Sequence, residues 1–252
     1  MSAIVSFRHV TCRLGDTDIL TDLVFDVGPG ETVVLLGRSG SGKTTLLRLV
    51  NGLLNPSAGE VLVEGKSTAV WDPIQLKRRT GYVIQEGGLF PHFTIADNVG
   101  LVPRLEGWPP DRIQTRVHAL LEQVGLAPAE FAHRYPRELS GGQRQRVGVA
   151  RALAADPPLL LFDEPFGALD PITRLELQRQ FLALRHDLGK TAIFVTHDVR
   201  EALALATRIG LLHRGHLEVL TTPSEFVRER GAEARAFLAC LDSQEEHGQG
   251  AP

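Results

Sequence analysis

The stretch Gly37-Arg38-Ser39-Gly40-Ser41-Gly42-Lys43-Thr44 constrains this chain more than any other. It fits G-x-x-x-x-G-K-[ST], a pattern with chemical meaning only where a buried strand runs into the start of a helix. Both neighbours are present. Thr32 to Leu36 is a short apolar run rich in β-branched residues, which predicts a buried strand, and Thr44 to Val50 reads as an apolar helical stretch. The glycines let the backbone curl until several N–H groups point inward at phosphate oxygens. The helix adds the positive end of its dipole. In this pattern Lys43 supplies a point charge for the β- and γ-phosphates of a nucleotide, and Thr44 a hydroxyl for Mg²⁺. Thr45, next along the helix, is counted with the nucleotide-binding residues.

The rest of the chain supplies an α/β frame for such a loop. Ile4 to Val10 and Ile19 to Val27 alternate apolar and polar residues, which predicts a small antiparallel sheet. Gly28 to Glu31 reads as a turn. Val61 to Val63, Tyr82 to Ile84, Leu159 to Phe162 and Ala192 to Thr196 read as further short strands. Thr173 to Leu188 reads as an amphipathic helix. From Thr94 to about Ala155 the periodicity turns helical, broken by Pro103, Pro109-Pro110, Pro128 and Pro136. The expected fold is α/β: a mainly parallel sheet core, a small antiparallel β subdomain and a helical insertion at about residues 90–155. The reading is one domain over 1–241 and a polar, disordered tail over 242–252. No internal repeat is visible.

Composition excludes several classes. Hydrophobic residues make up 43%, enough for a substantial core. Lys and Arg number 27 against 30 Asp and Glu, without the basic footprint of a nucleic-acid partner. Cys12 and Cys240 form no metal-type or redox-type spacing and read as reduced cysteines of a cytosolic protein. The first ten residues do not resemble a secretory signal. No apolar run approaches the roughly 20 residues that span a bilayer. The chain is expected to be soluble, so a membrane role requires a partner that spans the membrane.

Two further segments carry chemistry. Leu159-Leu160-Leu161-Phe162-Asp163-Glu164 places two carboxylates at a strand end. Adjacent carboxylates both ionise comfortably only near a cation or water. Asp163 suits coordination of Mg²⁺, and Glu164 suits the base that polarises an attacking water. Leu139-Ser140-Gly141-Gly142-Gln143 opens a helix running to about Ala154. Ser140 is a good N-cap, and Gly141 and Gly142 expose the N–H groups of the first turn. That makes a second anion site in a chain whose phosphate loop already has one.

In this order the phosphate loop, Leu139 to Gln143 and Asp163-Glu164 resemble the nucleotide-binding domain of ABC ATPases, over about Val5 to Val227. The resemblance implies a P-loop NTPase of ABC type that hydrolyses ATP with Mg²⁺. It implies a homodimer, or a pair of ABC subunits, with two ATPs sandwiched head to tail. Each ATP is then held by Lys43 of one subunit and by Ser140, Gly141, Gly142 and Gln143 of the other. Gln85 resembles the glutamine that touches Mg²⁺ and the attacking water. His197 resembles the switch histidine that contacts the γ-phosphate. Asp170, in Gly167-Ala168-Leu169-Asp170, resembles the aspartate that bridges subunits; by its residues alone it is a helix cap before Pro171. The family has an aromatic residue near Arg13 or Leu14 that stacks on adenine. Here the stretch is Cys12-Arg13-Leu14-Gly15, which leaves either an Arg13 guanidinium or Leu14 for that place.

DNA-repair relatives separate these motifs with long coiled coils, and ribosome-associated relatives carry two such domains in one chain. This chain has neither feature. A stand-alone subunit resembles the importer arrangement. Leu101 to Pro110, Tyr135 to Glu138 and Asp163 to Arg174 resemble subunits of quaternary-amine importers for glycine betaine, choline or carnitine. The resemblance implies transmembrane permease subunits, a periplasmic or lipid-anchored solute-binding protein, and a peripheral place on the cytoplasmic face of the cell membrane. An importer for an amino acid or taurine-like solute, or a non-transport regulatory ATPase, are the alternatives. Gly87 to Val99, with Leu89, Phe90, Phe93 and Ile95, either forms the groove that receives a helix of the permease or fills the insertion's own core.

Overall fold

The computed structural model describes residues 2–85, 88–167 and 169–245. In chain order these residues form β1 (Val5–Leu14), β2 (Thr17–Val27), β3 (Thr32–Leu36), α1 (Lys43–Val50), β4 (Ala58–Val63), β5 (Lys66–Ser67), α2 (Pro73–Arg78), β6 (Thr80–Val83), α3 (Ile95–Leu105) and α4 (Pro110–Gln123). There follow α5 (Pro128–Phe131), α6 (Gly141–Leu153), β7 (Leu159–Asp163), α7 (Pro171–Leu188), β8 (Thr191–Thr196), α8 (Val199–Leu205), β9 (Arg208–His213), β10 (His216–Thr221), α9 (Pro223–Phe226) and α10 (Ala232–Glu245). The chain divides into two compact units, residues 1–71 with 191–252, and residues 72–190.

The first unit holds two sheets. One has the strand order β2-β1-β4-β5 and is antiparallel throughout. The expected alternation is interrupted in β1, where Arg8 and His9 are exposed in succession and His9 takes φ 50°. Register shifts follow at Val10 and Cys12. The bulge resets the two-residue period, so the strand continues to Leu14, beyond the Val10 end that alternation alone predicts. Across it Phe7 and Phe25 stack at 4.4 Å between ring centroids. The other strands of this unit run in the order β10-β9-β3-β8. There β3 is parallel to both β8 and β9, and Leu36 pairs with Thr196 on one side and Leu211 on the other. All five residues of β3 are buried, which is why its sequence is a continuous apolar run.

The second unit carries the parallel pair β6 and β7 and most of the helices. Pro110 and Pro128 sit in the first turns of α4 and α5, and Pro136 starts a 3-10 turn over Pro136–Glu138. There a missing N–H costs nothing. Pro103 does not break a helix as expected; it lies inside the last turn of α3, which tolerates the one N–H→carbonyl bond the proline removes. Gly81 lets α6 approach β6, since a Cβ there would strike the Ala152 carbonyl.

Strands β9 and β10 and helices α8 to α10 lie where the sequence reading assigns no element. Helix α10 also runs through Glu245, so residues 242–245 are helical rather than a disordered tail. Residues 246–252, Gly87 and Ala168 lie outside the described residues. Among the described residues no helix is long and apolar enough to cross a membrane. Cys12 is buried and Cys240 exposed, and neither is in a disulfide.

Candidate functional site

In the first unit, β3 delivers the chain into the loop Gly37–Gly42 and α1 takes it away. Gly40 and Gly42 adopt φ 79° and 101°, conformations that side chains resist. At Gly37 a Cβ would strike the Leu212 carbonyl and the Ser41 hydroxyl. Lys43 is buried, and its ammonium donates to the carbonyls of Gly37 at 2.8 Å and Arg38 at 3.0 Å. Gly42 is the N-cap of α1 and brings no side chain to cover the dipole end. Thr44 and Thr45 are half-buried on the first turn, and Ser39 is exposed. The buried Ser41 hydroxyl has no hydrogen-bond partner. A curled loop, an uncapped helix start and an orphaned hydroxyl fit a phosphate group. His197 follows Thr196, the register partner of Leu36, so it stands one strand over from Gly37 and is exposed.

Arg38 is held from outside the loop. Its guanidinium makes two bonds to Glu233 of α10, at 2.6 and 3.2 Å. A separation of 195 residues leaves no sequence signal for this pair. Arg13 is likewise engaged, with Asp18 at 2.6 and 3.2 Å. Leu14 beside it is 46% exposed.

In the second unit, β6 and β7 end side by side, with Val83 opposite Phe162. Gln85 and the pair Asp163-Glu164 therefore leave neighbouring strand ends. Asp163 is buried, and its Oδ2 accepts the Tyr82 hydroxyl at 3.0 Å. Tyr82 is missed by motif reading; its only signal is that it lies two residues before Ile84, the residue that follows β6 next to Asp163, on the same face. Glu164 is half-buried at φ 44°, where the chain turns off the strand, and Gln85 is exposed. Among the described residues no group of three or more His, Cys, Asp or Glu is arranged to hold a metal. A strand-end carboxylate such as Asp163 suits Mg²⁺, which keeps waters and borrows phosphate oxygens.

The tip of α6 lies in the same unit. Ser140 Oγ accepts the Gln143 N–H at 3.2 Å, and Gln143 Oε1 accepts the Ser140 N–H at 2.9 Å, a reciprocal capping box. Ser140 and Gly141 are exposed, while Gly142 is buried. A Cβ on Gly142 would collide with Cγ2 of Thr173 in the first turn of α7. Asp170 caps that same turn, accepting the N–H groups of Ile172 at 3.1 Å and Thr173 at 3.0 Å. Those bonds, led by the Thr173 hydroxyl, hold the Asp170 carboxyl below the usual carboxylate range. The cap reading of Asp170 is thus observed, and it sits beside the Ser140–Gln143 tip.

A phosphate cradle between strand and helix, together with a strand-end Asp-Glu pair, is the layout of a P-loop nucleotide-binding protein. Residues 20–167 match the family described as ABC transporter, and the chain belongs to that family. It is 49% identical over 214 residues to the glycine betaine/carnitine/choline transport ATP-binding protein OpuCA of Bacillus subtilis, covering 85% of this chain and 56% of that protein. It is 44% identical to the glycine betaine uptake system ATP-binding protein YehX of Escherichia coli, covering 89% of this chain and 75% of that protein. The chain thus spans little more than half the length of OpuCA. Among solved structures it resembles the dimeric post-hydrolysis state of the ATP-binding cassette MJ0796 bound to ADP and Pi. That likeness has a TM-score of 0.78 and 33% identity, covering 90% of this chain and 99% of that one. The α/β fold expected from the sequence is that of these cassettes.

Proposed function

We propose that this chain is the ATP-binding and ATP-hydrolysing subunit of an ABC importer that takes up a quaternary-amine osmoprotectant such as glycine betaine or choline. The observation that carries the ATPase reading is the exposed, reciprocally capped tip at Ser140-Gly141 in a chain with a single phosphate loop. Such a tip binds anions, and a second subunit gives it a phosphate to bind. The dimeric form of MJ0796 supports this arrangement. The solute class rests on the named relatives.

Each residue then has a task. Lys43 turns from its loop carbonyls toward the β- and γ-phosphates, and Gly37 to Gly42 supply N–H groups. Thr44, Asp163 and Gln85 would hold Mg²⁺, which neutralises phosphate charge. Glu164 orients the attacking water and accepts its proton, and His197 steadies the γ-phosphate. Ser140 to Gln143 grip the nucleotide from the partner subunit, and Asp170 holds the start of α7 beside them. With Arg13 engaged by Asp18, the exposed Leu14 is the surface offered to adenine. Closure depends on the γ-phosphate receiving charge-assisted bonds from both subunits, so its loss reopens the pair.

This subunit would dock peripherally on the permease, at the cytoplasmic face of the membrane. A 320 Å³ cavity lined by Lys77, Arg78, Phe90, Leu101 and Arg151 offers apolar walls and basic groups for an acidic, amphipathic segment. Arg151 there donates to the Gly88 carbonyl at 2.9 Å. Uptake of labelled glycine betaine and choline tests the reading. In a strain lacking this gene and grown at high osmolarity, the wild-type gene restores uptake and Lys43→Ala does not. Restoration of another solute alone would assign the importer elsewhere, and no restored uptake would favour a non-transport ATPase.

A further inference from the structure

His197 is exposed, yet the backbone that carries it rests on two buried polar side chains. Thr196, the last residue of β8, and Glu201, in the first turn of α8, are each 4% exposed. The Thr196 hydroxyl donates to Glu201 Oε2 at 2.5 Å and accepts the Asp198 N–H at 3.0 Å. Asp198 in turn caps α8, its Oδ1 accepting the Arg200 N–H at 2.8 Å. The strand side is fixed as well, because Thr196 pairs with Leu36 of β3.

A threonine hydroxyl has one proton and a free rotor. Glu201 takes the proton, and that choice leaves a lone pair facing the Asp198 N–H. The result is a tight turn closed from residue 198 back to residue 196, with His197 at its apex. A buried carboxyl group is costly unless it is bonded. Helix α8 already has its cap in Asp198, so Glu201 is not needed to start it. Apolar side chains would fill the same space more cheaply.

We propose that Glu201, acting through the Thr196 hydroxyl, is a positioning residue that aims His197 across the sheet toward the phosphate loop. This rests on the reading of His197 as the group that steadies the γ-phosphate. Glu201 does not touch nucleotide; it fixes the turn that does. A side chain at a turn apex samples many directions unless the turn is locked, and displacement by about 1 Å can cost a hundredfold in rate.

Steady-state ATPase kinetics and melting curves of Thr196→Val, Glu201→Gln and Thr196→Ser test this, beside His197→Ala. Thr196→Val is expected to lower kcat by about tenfold to a hundredfold, with KM for ATP changed by less than about threefold. Glu201→Gln should fall in the same direction by a smaller factor, and it keeps the shape of the site if the valine variant does not fold. Thr196→Ser restores the hydroxyl and should stay within about twofold of wild type. Placed in the His197→Ala background, Thr196→Val should cost nothing further in kcat. Unchanged kcat in both Thr196→Val and Glu201→Gln overturns the proposal, as does an equal loss with and without His197. Normal turnover in His197→Ala itself would instead remove the role assigned to the histidine.

Discussion

The Tyr82 hydroxyl lies 3.0 Å from Asp163 Oδ2 and donates to it. The bond ties the strand ahead of Gln85 to the carboxylate that ends β7. Groups that orient a ligating carboxylate tune its affinity for the ion. Tyr82→Phe should therefore raise the Mg²⁺ concentration for half-maximal ATPase activity by about threefold to tenfold, with KM for MgATP at saturating Mg²⁺ little changed. Titrating Mg²⁺ against turnover checks this. An unchanged Mg²⁺ requirement would mean the bond only packs the strand.

Gly142 is buried against Thr173, which joins the tip of α6 to the first turn of α7. A methyl group at Gly142 must push on Thr173 Cγ2, and such overpacking costs about 1–3 kcal/mol. Gly142→Ala should lower the melting temperature and weaken ATP-dependent pairing. Thr173→Ser removes the opposing methyl group and keeps the hydroxyl, so the double variant should recover both. Recovery of neither would place the defect of Gly142→Ala somewhere other than this contact.

The bond from Arg38, and then its charge, hold the Glu233 carboxyl below the usual carboxylate range, with His213 3.5 Å away adding to the effect. The same pairing raises the pKa of Arg38. A depressed carboxyl contributes stability that is fully present above its unfolded pKa of about 4.3, and that is lost as pH falls through the lower folded value. The stability difference between wild type and Glu233→Gln, from urea unfolding, should therefore shrink between about pH 6 and about pH 3.5. A difference that holds steady or grows in acid contradicts the pairing.

What the sequence made legible follows from how local each feature is. The loop Gly37–Thr44, the strands β3 and β8 and the capped tip at Ser140 are written in contiguous residues, because burial on both faces or a first-turn cap acts over a few positions. The start of α7 at Pro171 was readable from Asp170 for the same reason. The length of β1 was not, since the bulge at His9 spoils the alternation on which a strand is recognised. Nor were Tyr82, Glu201 and Glu233, whose partners are chosen by the register of strands and the packing of helices. Each is an ordinary residue until the fold brings Asp163, Thr196 or Arg38 beside it.

The account depends above all on one phosphate being gripped by two chains, and Glu164→Gln tests that most directly. The variant should bind ATP and fail to cleave it. Light scattering in ATP should then show a particle of twice the monomer mass, absent in ADP and absent when Ser140→Arg is added to the same chain. A Glu164→Gln protein that stays monomeric in saturating ATP, or one whose pairing survives Ser140→Arg, would contradict it.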